Sequence, residues 1–282
     1  SGGTIISKSL GAQKDVVLLS EIHPDGVALS KKTGINVPVF DPIYQSQLWN
    51  NLFKDDEYKK ICNSNLKFIE KIDLIYEKVE LVKKKLIIRD WAFFDFIGRP
   101  FIEPSYKNSL LESLSKKYRI LNLYIIRHPL KLLESCCNKW IFFRRDNNFI
   151  YLIKGYKNYF LNASAGNICV FENFIGEPEK NLSKMCDILE IDYDSDKDLE
   201  ALDMEIPILS PKVVRNYGTL DTLDVDSLPI DPLALKIFSE EEKRSIVFRD
   251  ITTDEIAHIT ELEGGTPDYR NVVGFLAQVI LR

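Results

Sequence analysis

Metal-ligating and disulfide-forming residues are scarce in this chain. Its 282 residues include five cysteines and three histidines. Cys62, Cys136, Cys137, Cys169 and Cys186 form no CxxC pair, and none stands at ligand spacing from His23, His128 or His258. The sequence therefore predicts neither a metal centre nor a disulfide framework, but core thiols in a reducing, cytoplasmic setting. A basic excess is missing too: 37 Lys and Arg against 42 Asp and Glu leave a net charge of −5. That balance offers no general field for nucleic acid, anionic membrane or a sulfated polymer, and leaves room only for a local basic pocket. No apolar run is long enough to span a bilayer, and no signal peptide is visible. The phosphate-loop string GxxxxGK[ST] is absent, because Lys8-Ser9 lacks the glycines before it. Internal repeats and low-complexity segments are absent as well.

What is present is an alternation of short apolar runs with helical patterns. Val16 to Ser20, Leu86 to Arg89, Leu121 to Arg127 and Ile168 to Glu172 are continuous rather than alternating in hydropathy, as expected for strands covered on both faces. Helical spacing fills Asp55 to Lys85 and Lys107 to Tyr118, and Pro129 and Pro178 each suit the first position of a helix. The expected fold is α/β, a three-layer sandwich around a central parallel sheet. Residues 1–218 are expected to form this domain. Residues 219–282 read as an acidic linker followed by C-terminal helices packed on the same domain, with helix-starting capping boxes at Ser239–Glu242 and Thr252–Glu255. The last stretch, PDYRNVVGFLAQVILR, reads as a short amphipathic helix or strand docked on the body.

Polar residues gather where the predicted strands end. Glu21 and His23 follow the first, Arg89-Asp90-Trp91 closes the second, and Arg127-His128-Pro129 closes the third. In a parallel sheet such ends face one crevice. The chain also opens on Ser1-Gly2-Gly3-Thr4 running into an amphipathic stretch, a turn that lets backbone N–H groups approach an anion. Together these features predict a pocket for a phosphorylated ligand.

Three of the segments, in this order, resemble the sulfotransferases that use 3′-phosphoadenosine 5′-phosphosulfate. Ser1-Gly2-Gly3-Thr4-Ile5-Ile6 is similar to the loop that holds the 5′-phosphosulfate. Arg127-His128-Pro129, with Ser135 eight residues after the arginine, is similar to the 3′-phosphate site. The segment VFENFIGEPEKNLSKMCDILEIDYD resembles a later strand–Glu–loop–Pro–Glu–helix unit of bacterial members. The resemblance implies a phosphate-loop-like fold and sulfuryl transfer to a hydroxyl or amine of a small-molecule or glycan acceptor. It makes Glu21 or His23 the general base, and Ser1, Gly2, Gly3, Thr4, Ile5, Ile6, Arg127 and Ser135 the donor-binding residues. Arg215, in an Arg-Asn-Tyr-Gly stretch similar to a late loop of cytosolic relatives, is a further contact for the 3′-phosphate. Phe171 falls where relatives place an aromatic near adenine.

Arg89 and Asp90 read either as contacts for sulfate and acceptor or as a buried ion pair. Glu21 and His23, two apart on an extended segment, are expected to point the same way. No metal is implied. The family pattern also has a strand and an Arg or Lys immediately before the loop serine, which places those features upstream of Ser1. Two other functions compete: a phosphate-loop kinase, and a catalytically silent nucleotide-binding or scaffold protein of the same fold. Aromatics of Tyr44 to Phe68 and Trp140 to Phe160 are candidates for an acceptor pocket or for core.

Overall fold

A computed structural model describes residues 3–32, 40–99, 101–127, 132, 135–136, 149–163, 166–195 and 277–281. Helix α1, Gly3–Gly11, turns through residues 12–15 into β1, Val16–Ile22. Then come α2 (Gly26–Lys32), α3 (Pro42–Asn50), α4 (Asp55–Cys62) and α5 (Phe68–Leu81). Strand β2, Lys85–Asp90, leads to the short α6, Phe93–Phe96, and to α7, Ser109–Leu114. After β3, Ile120–Ile126, the described elements are α8 (Phe149–Ala163), β4 (Asn167–Val170), α9 (Phe171–Gly176), α10 (Pro178–Leu189) and β5 (Ala277–Leu281).

Local chemistry sets several boundaries. The Asp41 carboxylate caps α3 by accepting from the Ile43 and Tyr44 N–H groups. Asn108 does the same for α7 through Leu111 N–H. Pro178 supplies a preset φ at the start of α10, and Glu190 ends it in the left-handed region at φ 53°.

The five strands among the described residues form one sheet in the order β1-β2-β5-β3-β4. Pairs β1–β2 and β3–β4 are parallel, whereas β5 is antiparallel to both of its neighbours. Alternation along β2 divides the core. Leu86 and Ile88 pack with Ile72, Ile75 and Val79 of α5 and with Leu110 and Leu114 of α7. Ile87 faces the other way, onto Ile6 and Leu10 of α1 and the Leu182, Met185 and Leu189 stripe of α10. Helices therefore cover both faces. Each such aliphatic side chain contributes about 1.5–3 kcal/mol by leaving water.

The α/β class expected from the sequence is observed, with three differences. The sheet is mixed, because residues 277–281, within the stretch expected as a helix or strand docked on the body, form not a helix but strand β5 at the centre of the sheet. The fourth strand stops at Val170, two residues before its expected end, and Glu172 is helical. Phe171 and Phe174 are both buried at helical spacing, and that requirement outweighs extending the strand. The third difference is a bulge in β1: from Leu19 to Ile22 it takes three steps where β2 takes two, Ile88 to Asp90. The acidic linker and both predicted capping boxes lie outside the described residues.

Candidate functional site

The carboxyl edge of the parallel strands collects most of the predicted site. Residues 12–15 turn the chain back between α1 and β1, so the N-terminal end of α1 lies towards the edge where β1 ends. The first-turn N–H groups of Gly3, Thr4 and Ile5 have no acceptor within their own helix. Thr4 is exposed and Gly3 and Ile6 are buried, so the turn presents a hydroxyl and backbone donors while its apolar side faces the core. Ser1, Gly2, His128 and Arg215 lie outside the described residues.

Glu21 sits on the bulge of β1, with φ 58°. A non-glycine residue in the left-handed region is strained, and bulges re-aim side chains at sheet ends. The backbone beside it is clamped. Gln45 of α3 accepts from the Ser20 N–H at 2.8 Å and donates to the Ser20 carbonyl at 2.6 Å, all of it buried. The Glu21 carboxylate meets Arg89 Nη2 at 3.3 Å, and Arg89 Nη1 donates to Ser20 Oγ at 3.1 Å. Burial lowers the Arg89 pKa and the Glu21 charge raises it in part. Arg89 Nε is buried with no hydrogen-bond partner.

The bulge separates the two candidate bases. His23 does not accompany Glu21 but turns to α6, where its Nε2 lies 3.3 Å from Asp95 Oδ1. Its Nδ1 accepts from the Asp25 N–H at 3.0 Å. That acceptor role places the proton on Nε2, which donates to Asp95. Both ring nitrogens are engaged, and the side chain is 4% exposed. Glu21, 28% exposed, is the more available proton acceptor.

Asp95 also accepts from Ser105 Oγ at 3.1 Å and from the Ser109 N–H and Oγ at 2.8 and 2.6 Å. Asp90 has little of this support: both carboxylate oxygens are buried with no partner at hydrogen-bond geometry, and the Trp91 backbone N–H gives only a weak contact. Burial, and then the charge of Asp95, push its pKa well above the ordinary carboxylate value. Arg89 and Asp90 are therefore not a pair with each other. Adjacent strand residues face opposite sides of the sheet, and Arg89 finds its carboxylate on β1.

At the end of β3, Arg127 places its guanidinium 5.1 Å from the Phe171 ring centroid. Its Nε is 4.0 Å from Glu172 Oε1. Tyr156 of α8 is buried, and burial followed by the Glu172 charge raises its phenol pKa. Ser135 is helical and half-buried. Phe53, Tyr156, Tyr159 and Phe160 are buried in the protein, so these members of the aromatic segments are core. The Cys169 thiol is pushed up to about 12 by burial, a thiol with no thiolate character at neutral pH. Among the described residues no group of three or more His, Cys, Asp or Glu is placed to hold a metal ion, and no helix is long and apolar enough to cross a membrane.

Three participants escape a reading of the sequence. Gln45 and Asp95 belong to helices whose positions depend on tertiary packing, and Glu172 meets Arg127 only through the pairing of β3 with β4. The chain matches no family model, no curated protein and no solved structure.

Proposed function

We propose that this chain is a sulfotransferase of phosphate-loop-like fold. It moves a sulfuryl group from 3′-phosphoadenosine 5′-phosphosulfate to a hydroxyl or amine of a small-molecule or glycan acceptor. One observation carries the reading. The start of α1, the Glu21–Arg89 pair and Arg127 share one edge of the sheet, offering donors and cations at two places to a ligand with two anionic groups.

The donor supplies an activated sulfuryl group when bound. The first-turn N–H groups of α1 and the Thr4 hydroxyl would hold its phosphosulfate, with Ser1 and Gly2 ahead of them. Arg127 and Ser135 would hold the ribose phosphate, with Arg215 as a further contact; Phe171, buried in the core beneath the Arg127 guanidinium, is not available to the adenine. The partnerless Nε of Arg89 supports the fit. Arg89 lies two residues beyond Ile87, which packs on Ile6 and Leu10, so alternation puts its guanidinium on the α1 face of β2. Glu21 is the proton acceptor for the incoming hydroxyl or amine as it bonds to sulfur. Arg89 and the helix N–H groups face the charge collecting on the departing phosphate oxygen.

Transfer of labelled sulfate from the donor to a panel of phenols, amines and sugars tests the reading. Glu21→Gln is expected to lose roughly 10²–10⁴ in turnover while still binding nucleotide. A catalytically silent nucleotide-binding protein is the second reading, favoured by the engagement of Glu21 with Arg89. Donor binding without transfer to any acceptor class would select it.

A further inference from the structure

Both residues that follow β4 turn to Arg127. Phe171 lies under the guanidinium at 5.1 Å, and Glu172 brings a carboxylate oxygen to 4.0 Å from Nε. The pair is nearly closed off from water, with side chains 13% and 10% exposed. Its separation is within ion-pair range and beyond a hydrogen bond, so this contact balances charge without the bidentate fork that guanidinium makes with phosphate. Burial raises the Tyr156 phenol on α8 and the Cys169 thiol on β4, and the Glu172 charge adds to both as a smaller cause.

We propose that Glu172 is an internal counter-anion at the Arg127 seat, and that it sets the affinity and release rate of ligands carrying a ribose 3′-phosphate. The inference rests on the donor-binding reading above. A phosphate drawn to Arg127 arrives beside a carboxylate of the same sign in a poorly solvated place, and like charges at such range disfavour each other. Binding is therefore weaker, and release of the bisphosphate product faster, than Arg127 alone would give. Phe171 keeps the guanidinium in place as the carboxylate gives way, through the attraction of the cation for the ring face.

Titration calorimetry with adenosine 3′,5′-bisphosphate and adenosine 5′-phosphate tests this on the wild type, Glu172→Gln and Glu172→Asp. The amide is expected to bind the bisphosphate roughly tenfold more tightly, while the 5′-phosphate binds as before. Stopped-flow release of the bisphosphate slows in proportion. Glu172→Asp keeps the charge and stays near wild type. Glu172→Ser removes the charge with a smaller side chain and must show the same gain, which covers the case in which the amide variant does not fold. Unchanged or weaker binding by the charge-free variants would overturn the proposal and make Glu172 an orienting partner of Arg127. If neither wild type nor variants prefer the bisphosphate, the donor reading itself fails and the proposal falls with it.

Discussion

Replacing Asp90 by asparagine should stabilise this protein, and increasingly so as the pH rises. The Asp90 carboxyl is 2% exposed, both of its oxygens lack partners at hydrogen-bond geometry, and Asp95 lies close enough to raise its pKa further. Burial and then the Asp95 charge disfavour the Asp90 anion, opposed only in part by the Trp91 backbone N–H, so Asp90 keeps its proton. In the unfolded chain the same group ionises near its ordinary value of about 3.9. The folded state then binds more protons than the unfolded state, and stability falls as pH rises through the interval between the two values. The slope is about 1.4 kcal/mol per pH unit, and it ends where the folded carboxyl ionises. Asparagine has nearly the same shape, carries no titration and removes this slope. Urea unfolding of both proteins from pH 4 to pH 8 measures it. The difference in unfolding free energy should be small at pH 4 and widen upward. A difference that stays flat, or an amide variant that loses stability faster than wild type, would refute the protonated-acid assignment.

Other substitutions test the supports of the site. A Cβ at Gly155 on α8 would stand 2.2 Å from the Phe96 carbonyl oxygen, so Gly155→Ala forces α8 off α6 and should cost about 1–3 kcal/mol in urea unfolding. Gln45→Ala strips partners from the buried Ser20 N–H and carbonyl, at about 1–3 kcal/mol for each group. It should also lower turnover by loosening Glu21. His23→Ala should cost stability by depriving Asp95 of a donor while retaining more transfer activity than Glu21→Gln; equal losses of activity would return His23 to the catalytic role. Arg89→Met removes the guanidinium set between Glu21 and the departing phosphate oxygen and is expected to lower turnover while nucleotide still binds; unchanged turnover would place Arg89 outside the reaction.

The parts of the fold written locally were the legible ones. Strands β1 to β3 announce themselves as apolar runs buried on both faces, and α10 by its proline and its buried stripe. The early end of β4 was not legible, because FENF suits a strand in hydropathy and a helix in the spacing of its two phenylalanines. The AQVIL segment has strand character, yet its central place and antiparallel direction depend on β2 and β3 from far earlier in the chain. The site shows the same division. Glu21, Arg89 and Arg127 are visible as polar residues at strand ends. The bulge that turns Glu21 from His23 leaves no local mark, and the Glu172 contact arises only when β4 pairs with β3.

Calorimetric binding of adenosine 3′,5′-bisphosphate to the wild-type protein, beside adenosine 5′-phosphate and Arg127→Ala, tests the central claim most directly. The account predicts binding that requires the 3′-phosphate and is lost in the variant. Equal binding of the two nucleotides, or a preference that survives without Arg127, would contradict it.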